Sequence, residues 1–378
     1  MKKRRSAVWF VLLFSLLCVE SGAAQSSDAS ANAPYWYTLE QGKQLFRGGD
    51  YGNALLKFQD AKQQRKELYN SFREKLIRFL SRPDLLPLGD ALDKVEGYVA
   101  FKKIDEGQKI LPQLFRIFPK DSLKNSCKEA LAQLITIQAY PEAEYWIGEI
   151  FRVEGELNLA IDQYKLAYSL KELLEVPDFS LQILYRLSDL YLIKKQYLDM
   201  ENSLTAIVQQ DSLWTDTDKT YMRTIMFRTL DENGIDRFLT LYRYDNGLME
   251  QAHRRLGIYY YTTGRHPRAV EHLAFAFLIQ TTTLIESLQQ RQFDYTFTNF
   301  KDLLSTIAKK PELIDYVKHV EYYRTLYYLG AALYAVGVQS TAMEVWKNLE
   351  NQSEAGEWRD RSISQIRRPH VEAVQEKP

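Results

Sequence analysis

Cysteine is nearly absent: two in 378 residues, Cys18 and Cys127, too few for a disulfide framework or a multi-cysteine metal site. Turn formers are also scarce, with 11 prolines and 17 glycines, and long segments run without either. That argues against many short strands and favours helices. No charge of one sign dominates, because 49 basic side chains are matched by 49 acidic ones. Without a basic excess to displace counterions, nucleic acid is not an expected partner. A membrane-length apolar run is missing too. The run "AVWFVLLFSLLCV" at 7–19 has 13 residues, about 20 Å of helix against about 30 Å of hydrocarbon.

That short run follows Lys2, Lys3, Arg4 and Arg5 and precedes the small residues Gly22 and Ala24. The pattern predicts a signal peptide at 1–24, cleaved before Gln25, and export to the periplasm or cell envelope. Leu17 immediately before Cys18 fits lipoprotein processing poorly, so a membrane tether follows only if Cys18 is lipidated. Residues 25–34 read as a flexible linker. The five histidines include no i, i+4 pair, and no phosphate loop or nucleophile elbow occurs. His253 and His272 fall on opposite helices of one hairpin and read as surface side chains. No catalytic residue, metal or cofactor is predicted, and the chain reads as a non-enzyme.

What the chain does have is a recurring interval. Gly42, Ala54, Phe58 and Ala61 stand at offsets 0, 12, 16 and 19. The same offsets return at Gly148, Ala160, Tyr164 and Ala167, and at Gly257, Ala269, Leu273 and Ala276. Gly330, Ala342 and Trp346 form a fourth copy, and Ser188, Met200, Leu204 and Ile207 a weaker fifth. Breaks such as "RGGD", "VEGE" and "TTGR" divide the copies into two helical segments. The spacing predicts helical hairpins in which the first small residue faces the alanine across the pair. The large residue at offset 16 would then fill the space where the helices splay.

These intervals resemble the tetratricopeptide repeat family, whose units are 34 residues long. Leu256-Gly257-Tyr260 and Leu187-Ser188-Tyr191 match its first helix well, and Ile147-Gly148-Phe151 conservatively. The resemblance implies an all-α solenoid, a right-handed superhelix of stacked antiparallel hairpins over 35–350. Clear repeats fall near 35–68, 141–174, 181–214, 250–283 and 323–350, with a polar C-terminal tail at 351–378; the end cap is either a helix after Asn351 or that tail itself. The interval of 69 from Ser188 to Gly257 leaves room for a degenerate unit, which 218–244 would supply. Residues 281–319 read as inserted helix.

In the resembling family, inner-surface residues lie three before and four after the repeat glycine. Here those positions hold Tyr145, Arg152, Tyr185, Arg254, Tyr261, Tyr327 and Tyr334, among others. Tyrosines with scattered arginine suit a protein or peptide partner, since rings bury large area at low entropy cost. The competing reading is that they only pack neighbouring hairpins together. Family members that clamp a C-terminal carboxylate use lysine and asparagine; here the minus-three positions hold no lysine, no asparagine appears at the plus-one positions, and Glu149 and Asp189 would repel a carboxylate. The expected function is a non-enzymatic scaffold binding a protein or peptide partner in the bacterial cell envelope. The alternative is a small-ligand-binding accessory of a periplasmic solute transport system.

Overall fold

The computed structural model describes residues 34–80, 134, 136–216 and 219–372. The leader, Cys18, Cys127 and most of 82–140 lie outside the described residues. Among those described there are helices and turns but no strand. The first helices are α1 (Tyr35–Arg47), α2 (Tyr51–Leu80), α3 (Pro141–Val153), α4 (Leu157–Ser169), α5 (Phe179–Ile193) and α6 (Tyr197–Val208). There follow the single turn α7 (Ser212–Thr215), α8 (Thr220–Leu241), α9 (Gly247–Thr262) and α10 (His266–Arg291). The last are α11 (Phe300–Ile307), α12 (Pro311–His319), α13 (Tyr322–Ala335), α14 (Gln339–Glu350) and α15 (Glu357–Arg367). Among the described residues these form five hairpins: α1/α2, α3/α4, α5/α6, α9/α10 and α13/α14.

Every hairpin turns the same way. The amide of the sixth residue returns to the first carbonyl: Asp50 to Leu45, Glu156 to Phe151, Gln196 to Tyr191, Arg265 to Tyr260 and Val338 to Leu333. This is the Schellman closure, which needs a left-handed residue just before the donor. Gly49, Gly155, Gly264 and Gly337 supply it in four hairpins. In α5/α6 the position is held by Lys195 at φ 57°, where a side chain meets the following carbonyl.

Within the hairpins the atoms nearest to each repeat glycine belong to the large residue at offset 16. A Cβ placed on Gly148 would lie 2.8 Å from Cε1 of Tyr164, the residue at offset 16. On Gly42 it would meet Phe58 at 2.5 Å, on Gly257 Leu273 at 2.5 Å and on Gly330 Trp346 at 2.7 Å. The large side chain thus lies directly on the bare glycine and does not merely fill a splay. Removing the Cβ makes a seat for it, and ring-to-backbone dispersion offsets the weak helix propensity of glycine. The alanines Ala54, Ala61, Ala160, Ala167, Ala269, Ala276 and Ala342 are all fully buried. They lie on the tight second-helix face in four of the five pairs, α5/α6 having Met200 and Ile207 there instead.

The five hairpins stack consecutively, so the fold is an all-α, tetratricopeptide-like solenoid. α2 packs on α3, α4 on α5, α6 on α9, and α10 on α13. Ion pairs cross these joints, Lys62 to Glu144 at 2.7 Å and Arg265 to Glu201 at 2.7 Å. The direct α6–α9 contact overturns the expectation that 218–244 forms a stacked unit between them. α8 instead lies against α10, α11 and α14, outside the stack. It breaks at Gly234 (φ 74°), where the Glu344 carboxylate of α14 accepts the Ile235 amide. Packed on α14 and α10, it does not form a stacked repeat of its own. Inserted helices α11 and α12 likewise sit beside the stack, with Asp236 accepting the Phe300 amide at 2.6 Å.

His253 and His272 are also placed differently from expectation. Both are buried, their Nδ1 atoms 3.1 Å apart, against Trp214 and Phe275. Burial lowers the pKa of both rings, and for His272 the neighbouring His253 adds to it. Among the described residues no group of side chains could hold a metal, and no helix is long and apolar enough to cross a membrane.

Candidate partner-binding surface

The seven inner-position residues divide into two sets. Tyr145, on α3, is buried with its ring 4.7 Å from Phe179 of the next hairpin. Arg152 donates twice to Glu149, at 2.8 and 3.2 Å. Tyr185 sends its hydroxyl to the Leu248 carbonyl at 2.7 Å and accepts the Ala252 amide, fixing the start of α9. Arg254 is buried between Glu250 and Glu321, at 3.2 and 2.6 Å. These four join one hairpin to the next or hold charges within the wall.

The two acidic residues expected to repel a carboxylate do not act as free charges. Glu149 is buried and receives Arg152, Arg186 and the Tyr164 hydroxyl. Burial pushes its carboxyl pKa up, but these donors outweigh that and hold it below the ordinary carboxylate value. Asp189 accepts from Arg255. The like-charge argument against carboxylate ligands therefore fails physically: both acids are already neutralised in the wall.

The second set meets at one place. Tyr261 of α9 and Tyr327 and Tyr334 of α13 all reach the chain's own segment 369–372. The Tyr334 hydroxyl lies 3.4 Å from the Pro369 carbonyl and the Tyr261 hydroxyl accepts the Glu372 amide at 3.3 Å. The Tyr327 hydroxyl donates to the Glu372 carboxylate. Burial pushes Tyr261 up to about 12 and also raises Tyr327, so both phenols stay protonated. Beside them, Arg361 of α15 donates to the second Glu372 oxygen at 2.6 Å. Its guanidinium lies 4.5 Å from the Tyr327 ring centre and 5.0 Å from that of Trp358.

Of the two end caps the sequence offers, a helix after Asn351 or the polar tail, the structure shows the helix: α15 packs on α14 and α13. The sequence does not single out Trp358, Arg361 and Gln365 on it. The signal was present in Trp358, Arg361, Ser362 and Gln365, spaced on one helical face. Ser362 and Gln365 are fully buried despite being polar, which is why hydropathy hides this face.

No known family model matches the chain. It is 24% identical over 350 residues to an uncharacterised protein of Treponema pallidum, covering 92% of this chain and 93% of that one. An uncharacterised protein of Borreliella burgdorferi is 20% identical over 254 residues, 61% of this chain and 78% of its own. Among solved structures, the tetratricopeptide domain of P58(IPK) is 13% identical, with 89% of this chain and 99% of that one covered at a TM-score of 0.18. The fold assignment rests on the hairpins themselves.

Proposed function

We propose that this chain is a non-enzymatic helical-repeat scaffold of the bacterial cell envelope that holds an extended segment of a partner protein on its inner face. One observation carries the reading. Three tyrosines at inner positions of successive hairpins, Tyr261, Tyr327 and Tyr334, converge on non-helical chain and engage its main chain and an acidic side chain. A surface that reads main-chain groups and one charge is suited to a peptide rather than to a small apolar solute.

A photo-crosslinking residue in place of Tyr334, expressed in the native host, tests this. Half-buried at the edge of the surface, that position should capture a discrete partner, while the same probe at exposed Asp162 on α4 should not. Identical products from both positions, or none from either, would remove the scaffold reading. Mass measurement of the mature N-terminus at Gln25 tests the proposed export.

A further inference from the structure

We propose that Tyr327, Arg361 and Gln365, with the Tyr261 hydroxyl, form a subsite for one glutamate side chain of an extended partner peptide, and that Glu372 of the chain itself occupies it as an internal competitor. The proposal deepens the reading above and rests on it.

The receptor is built and stiff. Tyr327 and Gln365 are fully buried, and Tyr261 nearly so. Arg361 is held over the rings of Tyr327 and Trp358, so its rotamer freedom is largely spent before any carboxylate arrives. One Glu372 oxygen accepts from Tyr327 and, at 3.4 Å, from Gln365; the other accepts from Arg361. The donors thus address both oxygens of a carboxylate, and one of them is cationic. The Tyr261 contact to the Glu372 amide and the Tyr334 contact to the Pro369 carbonyl add a main-chain register. The surface therefore reads an extended segment whose glutamate lies three residues after the first anchored carbonyl.

The occupant, by contrast, is lightly held. Residues 367–371 are exposed, and Val371 leaves 47% of its surface in water. The strap thus inserts no apolar side chain from these positions, and hydrophobic burial contributes little to keeping it in place. Its remaining hold is the His370 amide on the Gln365 side chain at 3.0 Å. What retains it is charge, hydrogen bonding and the tether, and a partner with the same pattern can supply the first two. The tether from the end of α15 is short, which gives an effective concentration of roughly millimolar. A peptide arriving from solution must overcome that.

The test uses a synthetic peptide of residues 367–378 as probe. Its binding is measured by fluorescence anisotropy to the full chain, to a chain ending at Arg368, and to full-length Glu372→Gln. Both altered chains are expected to bind at least about tenfold more tightly than the unaltered chain, because the internal competitor is gone or weakened. A probe carrying Glu372→Gln should lose about tenfold on the shortened chain, and Arg361→Gln in the shortened chain should abolish the preference for the glutamate probe. Should the shortened chain unfold, the full-length Glu372→Gln arm still decides. Equal binding of the two probes, or no binding to folded altered chains, would overturn the subsite. Probe binding with no cross-linked partner at Tyr334 would leave the subsite standing and remove the scaffold reading instead.

Discussion

At the scale of single residues, the seat formed by each glycine sets a measurable cost. Gly257→Ala gains about 1 kcal/mol of helix propensity. Against that, its Cβ would stand 2.5 Å from Leu273 Cγ and 3.0 Å from the Leu273 backbone nitrogen. The side chain can rotate away but the backbone cannot, so an overpacking cost of about 1–3 kcal/mol wins. Urea unfolding of Gly257→Ala should show a lower midpoint, and the loss should shrink when Leu273→Ala is added. An unchanged midpoint would refute the seat. Lys195→Gly should act in the opposite sense, stabilising by about 0.5–1 kcal/mol because it relieves the left-handed strain seen at φ 57°. A lower melting temperature for that variant would show that the Lys195 side chain contributes more than its backbone strain costs. The intervals of 12 and 16 were both plain in the sequence. How closely the offset-16 side chain would approach the glycine was not, because only the crossing geometry of the two helices sets that distance.

At the scale of elements, the hairpins were legible because glycine, alanine and ring recur at fixed offsets, and no tertiary knowledge is needed to count them. α8 was legible as a helix but not in its place, since its partner Glu344 lies far along the chain on α14. The buried face of α15 was hidden for a different reason: it is made of Ser362, Gln365 and the stem of Arg361 beside Trp358. A repeat array is coupled only through neighbours, so removing an end element should loosen what it touches and little else. The Trp358 ring packs at a tilt against those of Tyr327 and Tyr328, with centres 5.6 and 5.8 Å away. Trp358→Ala should cost about 1–3 kcal/mol, below the range for a fully buried tryptophan because this one is only half-buried. Hydrogen exchange should accelerate in α13–α15 while α3–α6 keep their protection. Uniform acceleration along the chain would mean that the array unfolds as one cooperative block.

At the scale of the whole molecule, stability should depend on pH through a pair buried within the α9/α10 hairpin. His253 and His272 share a hydrogen bond between their Nδ1 atoms, so at most one proton fits between the rings. Protonating the accepting ring sets two N–H groups against each other in an aromatic enclosure that offers no counter-charge to either. Both folded pKa values lie below the ordinary value of about 6.5. The unfolded chain therefore binds more protons than the folded one as pH falls below that value, and stability drops with pH. Above about pH 7 the contribution is fully present, and it is lost progressively as pH falls through 6.5 and beyond. Glu142, Glu250, Glu271 and Glu344, whose carboxyl pKa values are raised by desolvation, take up protons more readily in the folded state and work in the opposite direction, so the double variant and not the slope alone identifies the histidines. Glu149, Glu201 and Glu321, with lowered values, weaken the fold only below the ordinary carboxylate range. The interval between pH 7 and 5 thus isolates the histidine pair from the paired carboxylates. The urea midpoint of the unaltered chain should fall across it, and His253→Leu combined with His272→Leu should flatten the fall, leucine being close to histidine in volume. An undiminished slope in that double variant would place the sensitivity elsewhere. Because both rings lie inside the α9/α10 hairpin, one on each helix, acid should open that hairpin first, which hydrogen exchange at pH 5 would register as early loss of protection in α9 and α10.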